Sequence, residues 1–195
     1  MKRFLALFIT TLTLSLSVAA QEHSRPPKST TPPRAPNAPA SATDASASGW
    51  VRITSDEGRF SVLMPGTPED KVETTPSEHG PYTTHLSILR GTTNVFLIGW
   101  VDYDPSFNFN RQAELEANRD NFVKGVNARL LETRSTRIDG FPAIEFTAEN
   151  DDRVFKSRVY MVGRRPYQLV IGSPKGSDDS VIINRFFNSF KVTVN

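Results

Sequence analysis

The chain has 195 residues, with 23 Lys+Arg against 21 Asp+Glu for a net charge of +2, and no cysteine. That composition excludes a disulfide scaffold, a cysteine zinc site and a thiol nucleophile, and with 37% hydrophobic residues it also excludes a polytopic membrane protein. It allows one domain of ordinary size and names no reaction.

Lys2 and Arg3 precede an apolar stretch, FLALFITTLTLSLSVAA, that ends at Ala20. A short cationic start, an apolar core and small residues at the end form the pattern of a secretory signal peptide. Val18 and Ala20 hold the small positions before a cut ahead of Gln21. The stretch has 17 residues and is interrupted by Thr and Ser, marginal for a spanning helix, so a retained N-terminal anchor is the alternative. Cleavage at residues 1–20 predicts an exported protein, periplasmic or extracellular, with no stable membrane span. No cysteine is present to carry a lipid anchor.

Residues 21–48 hold six Pro, six Ala, five Ser and three Thr. With no large apolar side chain to bury, nothing offsets the entropy of ordering them, and a disordered linker is expected. It reads either as a spacer through an envelope or as an unselected N-terminal extension. The basic excess sits in these first 48 residues, because residues 49–195 carry 18 Lys+Arg against 19 Asp+Glu, a net of −1. A near-neutral domain lacks the footprint that drives counterion release, so nucleic acid is rejected as a partner.

The domain, 49–195, is long enough to bury about 68–70% of its unfolded surface without covalent staples. Strands are expected at residues 50–54 and 59–64, joined by Ser55-Asp56-Glu57-Gly58 and stopped by Pro65-Gly66. Residues 82–90 and 95–103 form a hairpin around Gly91-Thr92-Thr93-Asn94. In the second strand Val95, Leu97 and Val101 face one way and Phe96, Ile98 and Trp100 the other, so both faces need cover. A helix follows at 111–124, capped by Asn110 and closed by Gly125, with a gap in its apolar stripe at Asn118 and Arg119. Residues 128–138 suit a charged edge strand. Strands at 141–148 and 153–162 pair across Asn150-Asp151, which sets Phe146 opposite Phe155 and Glu145 opposite Lys156. A strand at 166–172 and a helix at 178–188, with Asp178 and Asp179 at its positive end, complete the order. The fold class is α+β: an antiparallel sheet of about six to eight strands with a helix on each face, an α/β/α sandwich.

Three stretches carry a resemblance. GRFSVLMPGTP (58–68) resembles the opening strand of PsbP-like domains, VYMVGRRPYQLVIG (159–172) is similar to their penultimate hairpin, and FFNSFKV (186–192) to their closing helix. The family includes an extrinsic photosystem subunit, a nuclear Ran-nucleotide-release factor and bacterial envelope proteins. The resemblance implies a non-enzymatic binding or assembly-helper domain and transfers no catalytic motif; photosystem function is not implied.

Residues that carry chemistry are sparse. No nucleophile elbow, zincin helix, Walker loop or dinucleotide fingerprint occurs, so no catalytic, cofactor-binding or metal-binding residue is assigned and no cofactor is expected. His85 reads as a structural histidine. The Glu149-Asn150-Asp151-Asp152 run reads as turn chemistry and lacks calcium-loop spacing. Asp102 and Asp104 read as strand-end residues. Arg164 and Arg165 at a hairpin tip could fork a carboxylate or phosphate, or form a solvated turn. Trp100 and Tyr103 could make an aromatic ligand platform, with a core role the alternative for Trp100. The reading is an exported, non-enzymatic module of the cell envelope that binds an unidentified protein partner or helps assembly. The alternative is a small-ligand carrier or weak enzyme with a pocket between sheet and helix.

Overall fold

The computed structural model describes residues 49–108 and 110–193. The expectations for the leader and the linker, 1–48, lie outside them. The order is β1 (Val51–Ser55), β2 (Phe60–Met64), β3 (Glu69–Thr75), β4 (Tyr82–Arg90), β5 (Val95–Tyr103), α1 (Arg111–Gly125), β6 (Arg129–Ile138), β7 (Phe141–Glu149), β8 (Arg153–Val162), β9 (Arg165–Pro174), α2 (Ser180–Ser189) and β10 (Lys191–Val192). The class is α+β, with two helices and a seven-stranded antiparallel sheet ordered β3-β4-β5-β9-β8-β7-β6. A second sheet, β1-β2-β10, joins the first strand of the domain to the last.

Alternation along the central strands sorts their side chains into two cores. Phe96, Ile98 and Trp100 on β5 join Tyr167, Leu169 and Ile171 on β9 in the larger. Phe60, Val62 and Met64 of β2 and Phe186, Phe187 and Phe190 at the end of the chain close over them. Phe60 meets Trp100 edge-on at 5.3 Å, and Phe96 meets Phe186 at 5.3 Å, the edge-to-face geometry that ring quadrupoles favour. The smaller core gathers Ile144, Phe146 and Ala148 of β7 and Val159 and Met161 of β8 around Leu115 of α1. Neighbours on β7, Ala143 and Ile144, belong to different cores.

Four local expectations are corrected. β3 and β10 are strands that the pattern did not show. The β7–β8 hairpin turns at Asp151-Asp152, where Arg153 N–H donates to Asn150 Oδ1 (3.0 Å) and Asn150 N–H to Arg153 O (3.0 Å). That moves the register by two residues: Phe146 faces Ser157, Phe155 faces Ala148, and Glu145 faces Arg158 rather than Lys156. Gly125 is the last residue of α1, and the left-handed position falls on Asn127 (φ 49°), as Val126 N–H reaches back to Phe122 O. α2 begins at Ser180, two residues later than expected, because Asp179 is turned outside the helix to accept from Ser177 Oγ (2.7 Å).

Candidate functional site

β5 delivers its C-terminal residues to opposite surfaces of the sheet, and this separates the predicted site residues. Trp100 and Asp102 lie on one surface and Tyr103 on the other. Trp100 is 6% exposed and stacks flat on His85, with ring centroids 4.5 Å apart. His85, its opposite number on β4, is itself buried. His85 Nε2 lies 3.4 Å from Asp102 Oδ2, and Nδ1 lies 3.9 Å from Glu57 Oε1 in the β1–β2 turn. Arg165, entering on β9, donates from Nε to Asp102 Oδ1 (2.6 Å) and from its NH1 group to the Glu57 carbonyl (2.8 Å). Tyr167, two residues on, donates to the Gly58 carbonyl (2.8 Å). Arg165 and Tyr167 therefore fasten the β1–β2 turn to the sheet. The sequence paired Arg164 with Arg165 and Trp100 with Tyr103; the fold separates both pairs and gathers Trp100 and Arg165 around His85 and Asp102.

Arg164 is used differently. Its guanidinium donates to the carbonyls of Asp104 (3.2 Å), Pro105 (3.5 Å) and Phe107 (2.6 Å), and so shapes the loop after β5. In that loop Asp104 accepts from the Ser106 hydroxyl (2.6 Å) and backbone N–H (2.9 Å), and these bonds hold its carboxyl below the usual range.

Tyr103 packs against Phe107 (4.8 Å) and Tyr82 (6.0 Å) and donates its hydroxyl to Glu114 of α1. Burial pushes the Tyr103 phenol up, reinforced by the Glu114 charge, so it remains a donor at neutral pH. Burial likewise raises the Glu114 carboxyl, against the opposing bonds from Tyr103 and from Asn118 Nδ2 (2.9 Å). No motif announces Glu114. Of its buried neighbours on α1, Asn118 and Asn121, the first is one of the two residues that broke the apolar stripe.

A concave feature lies elsewhere. A cleft of ≈330 Å³ opens between α2 and the surface of β6, β7 and β8, and Arg134, Lys156, Arg158, Asn184 and Phe187 form much of its wall. Glu145 sits at its base, taking Arg158 Nε at 2.7 Å and the Arg134 guanidinium. Burial raises the Glu145 carboxyl, but the Arg134 bond and the Arg158 charge outweigh it and hold it below its usual range. Arg158 also lies 4.8 Å over the Phe187 ring and reaches Asn188 Oδ1 (3.3 Å). None of these cleft residues was a site candidate in the sequence, where Glu145 and Lys156 were expected only to pair with each other. Only the correct β7–β8 register puts Glu145 between two arginines.

Among the described residues, no group of three or more His, Asp or Glu is placed to hold a metal ion, and no helix is long and apolar enough to cross a membrane.

No protein-family model matches the chain, and no curated protein matches it by sequence. The fold, however, has solved counterparts. The chain is similar in structure to cyanobacterial PsbP (CyanoP) from Synechocystis sp. PCC 6803, with a TM-score of 0.54 and 13% identity over 78% of this chain and 97% of that one. A protein from Bacteroides thetaiotaomicron VPI-5482 aligns at a TM-score of 0.34 and 13% identity, over 74% of this chain and 48% of that one, too low to bear on the fold. The fold is PsbP-like.

Proposed function

We propose that the chain is an exported, non-enzymatic protein-binding or assembly-helper module of the cell envelope. In this reading residues 1–20 are a signal peptide removed ahead of Gln21, 21–48 are a tether, and 49–195 are the working domain. We also read the two cores as a three-layer arrangement with one helix against each sheet face. The alternation of Ala143 and Ile144 between the cores supports it.

The observation that carries the functional reading is how the reactive side chains are used within a PsbP-like fold. Arg164 donates to three loop carbonyls, Arg165 binds Asp102 and the Glu57 carbonyl, and Tyr103 binds Glu114. Groups that would act on a substrate are engaged in fastening turns and α1 to the sheet. The test is affinity recovery with crosslinking from the native envelope fraction, together with the mass of the mature N-terminus. A saturable protein partner and a chain beginning at Gln21 support the reading; a folded, abundant bait that recovers nothing counts against it.

The ≈330 Å³ cleft favours a second reading, a small-ligand carrier, since its volume reaches the lower end of the range of ligand sites.

A further inference from the structure

The geometry points to a proton-operated latch between the two sheets. His85, when doubly protonated, draws Glu57 of the β1–β2 turn down onto the large sheet, and it releases that turn as the ring loses a proton. This goes beyond the protein-binding reading and does not rest on it. Three observations carry it.

The first is a mismatch of donors and acceptors. His85 is 4% exposed, and both ring nitrogens face carboxylates, Nε2 toward Asp102 Oδ2 (3.4 Å) and Nδ1 toward Glu57 Oε1 (3.9 Å). An ionised carboxylate only accepts, and a neutral imidazole has one N–H to donate. The nitrogen without the proton is therefore set lone pair against lone pair. Nδ1 is that nitrogen: it is buried and has no hydrogen-bond partner. A second proton makes it a donor aimed at Glu57, and the gap closes to a charge-assisted bond.

The second is charge balance. Arg165 on β9 is charged at any of these pH values and donates to Asp102 Oδ1 and to the Glu57 carbonyl. With His85 charged, two cations meet two anions. With His85 neutral, one negative charge is left uncompensated beside a buried ring. The remaining neighbours do not alter that balance. Tyr167, across Trp100 from His85, is kept protonated by burial and donates to the Gly58 carbonyl. Val72 faces His85 from β3, and its neighbours Lys71 and Glu73 belong to the other surface of the sheet. Asp56 and Arg59, in the turn beside Glu57, are exposed and of opposite sign.

The third is that only one partner is free to move. The His85 ring is fixed by its flat stack on Trp100, and Asp102 sits on β5. Glu57 belongs to a turn, and its side chain is 69% exposed. Its withdrawal uncovers the His85–Trp100 stack next to Val72, which is itself 63% exposed. The latch thus sets how much of this aromatic and apolar surface meets solvent, least in acid and more as pH rises.

The experiment uses the full chain between about pH 5 and 8, the range in which an ordinary imidazole changes charge. Ring resonances of His85, assigned through their contacts with the Trp100 ring, report its protonation. Exchange of the Gly58 and Arg59 amides, which bond to Ser55 Oγ (2.9 Å) and the Asp56 carbonyl (3.3 Å), reports the turn as a protection factor. Protection should fall at least five-fold as pH rises, with the midpoint of the His85 ring, while β8 and β9 stay protected. E57A should hold the turn at its weak high-pH protection throughout and leave the thermal midpoint at pH 8 unchanged. E57Q, whose amide can donate to a neutral Nδ1, should restore protection at pH 8, an effect that a merely space-filling Glu57 does not produce. H79Q should leave the profile as in wild type. Protection that is flat or rises with pH, a dependence that survives E57A, or one that disappears in H79Q would overturn the inference. A His85 ring that stays neutral down to pH 5 with Glu57 in place would overturn it as well.

Discussion

Phe186 on α2 is completely buried, with Phe96 at 5.3 Å and Phe187 at 5.5 Å, while Val181 on the same helix is 79% exposed. Replacing Phe186 by Ala removes a ring from a packed core and leaves a cavity that its neighbours close only in part, costing about 3–5 kcal/mol. Against a total stability on the order of 5–15 kcal/mol, that is a large fraction. At roughly 3 °C per kcal/mol for a domain near 150 residues, the midpoint should fall by about 12 °C. Val181→Ala, made in parallel, should stay within about 0.5 kcal/mol of wild type. Urea denaturation of the two variants, followed by tryptophan fluorescence, reads both values, since Trp50 and Trp100 lie in the same core. A loss below about 1.5 kcal/mol for F186A, or equal losses for the two, would mean that α2 presents a different face to the sheet. The cleft lined by Ile183, Asn184 and Phe187 would then not exist in this form.

Three further outcomes are expected. Burial raises the Glu114 carboxyl in the folded state, so the stability it contributes is complete below the unfolded carboxylate range near pH 4 and is lost as pH rises through the folded value. Wild type should therefore lose stability relative to E114Q between pH 4 and neutrality, read as denaturant midpoints across that range; a gap that does not change with pH refutes this. Glu145 has the opposite sign: its lowered carboxyl contributes stability above the unfolded range and loses it as pH falls through the folded value, so E145Q should flatten the acid limb of the same profile. Arg164→Ala should speed amide exchange in residues 104–108 while leaving β8 and β9 protected, because it removes a donor from three loop carbonyls and no core contact. Unchanged exchange in the loop would show that Ser106 and Asp104 hold it alone.

Most of the central sheet was legible because its strands bury both surfaces and read as apolar runs bounded by turn residues. β4, β5 and β8 fall at the expected residues. β3 was not legible, for a physical reason: EDKVETT is an edge strand whose side chains are mostly exposed, so no apolar alternation marks it and its charges discourage edge pairing. The β7–β8 slip arose from an aromatic pair that looked attractive in isolation. A shift of two residues keeps every side chain on its own face, so the inside–outside pattern could not expose the error. Only the Asn150–Arg153 turn bonds distinguish the two registers. Site residues fared according to their surroundings. Trp100 and Arg165 were visible as residue types, but their companions Glu57 and His85 come from β1–β2 and β4 and depend on a register that one sequence does not supply. Asn118 was read with Arg119 as a gap in an amphipathic helix and Glu114 drew no notice, although the Tyr103–Glu114–Asn118 bonds are part of how α1 is held.

The small sheet has a consequence for the order in which the chain acquires its structure. β2 is flanked by β1, just before it, and by β10, which pairs Lys191 with Ser61, and Leu63 N–H donates to Ser189 Oγ across 126 residues. The central pair β5–β9 also waits, since Val95 meets Gly172. Closing loops of that length before any contact repays them makes folding slow, with a high contact order. A growing chain therefore keeps Phe60, Val62 and Met64 uncovered until its final residues are available. Under the export proposed above, that delay would favour passage through a membrane pore, because the topology withholds the final closure until the last strand is delivered.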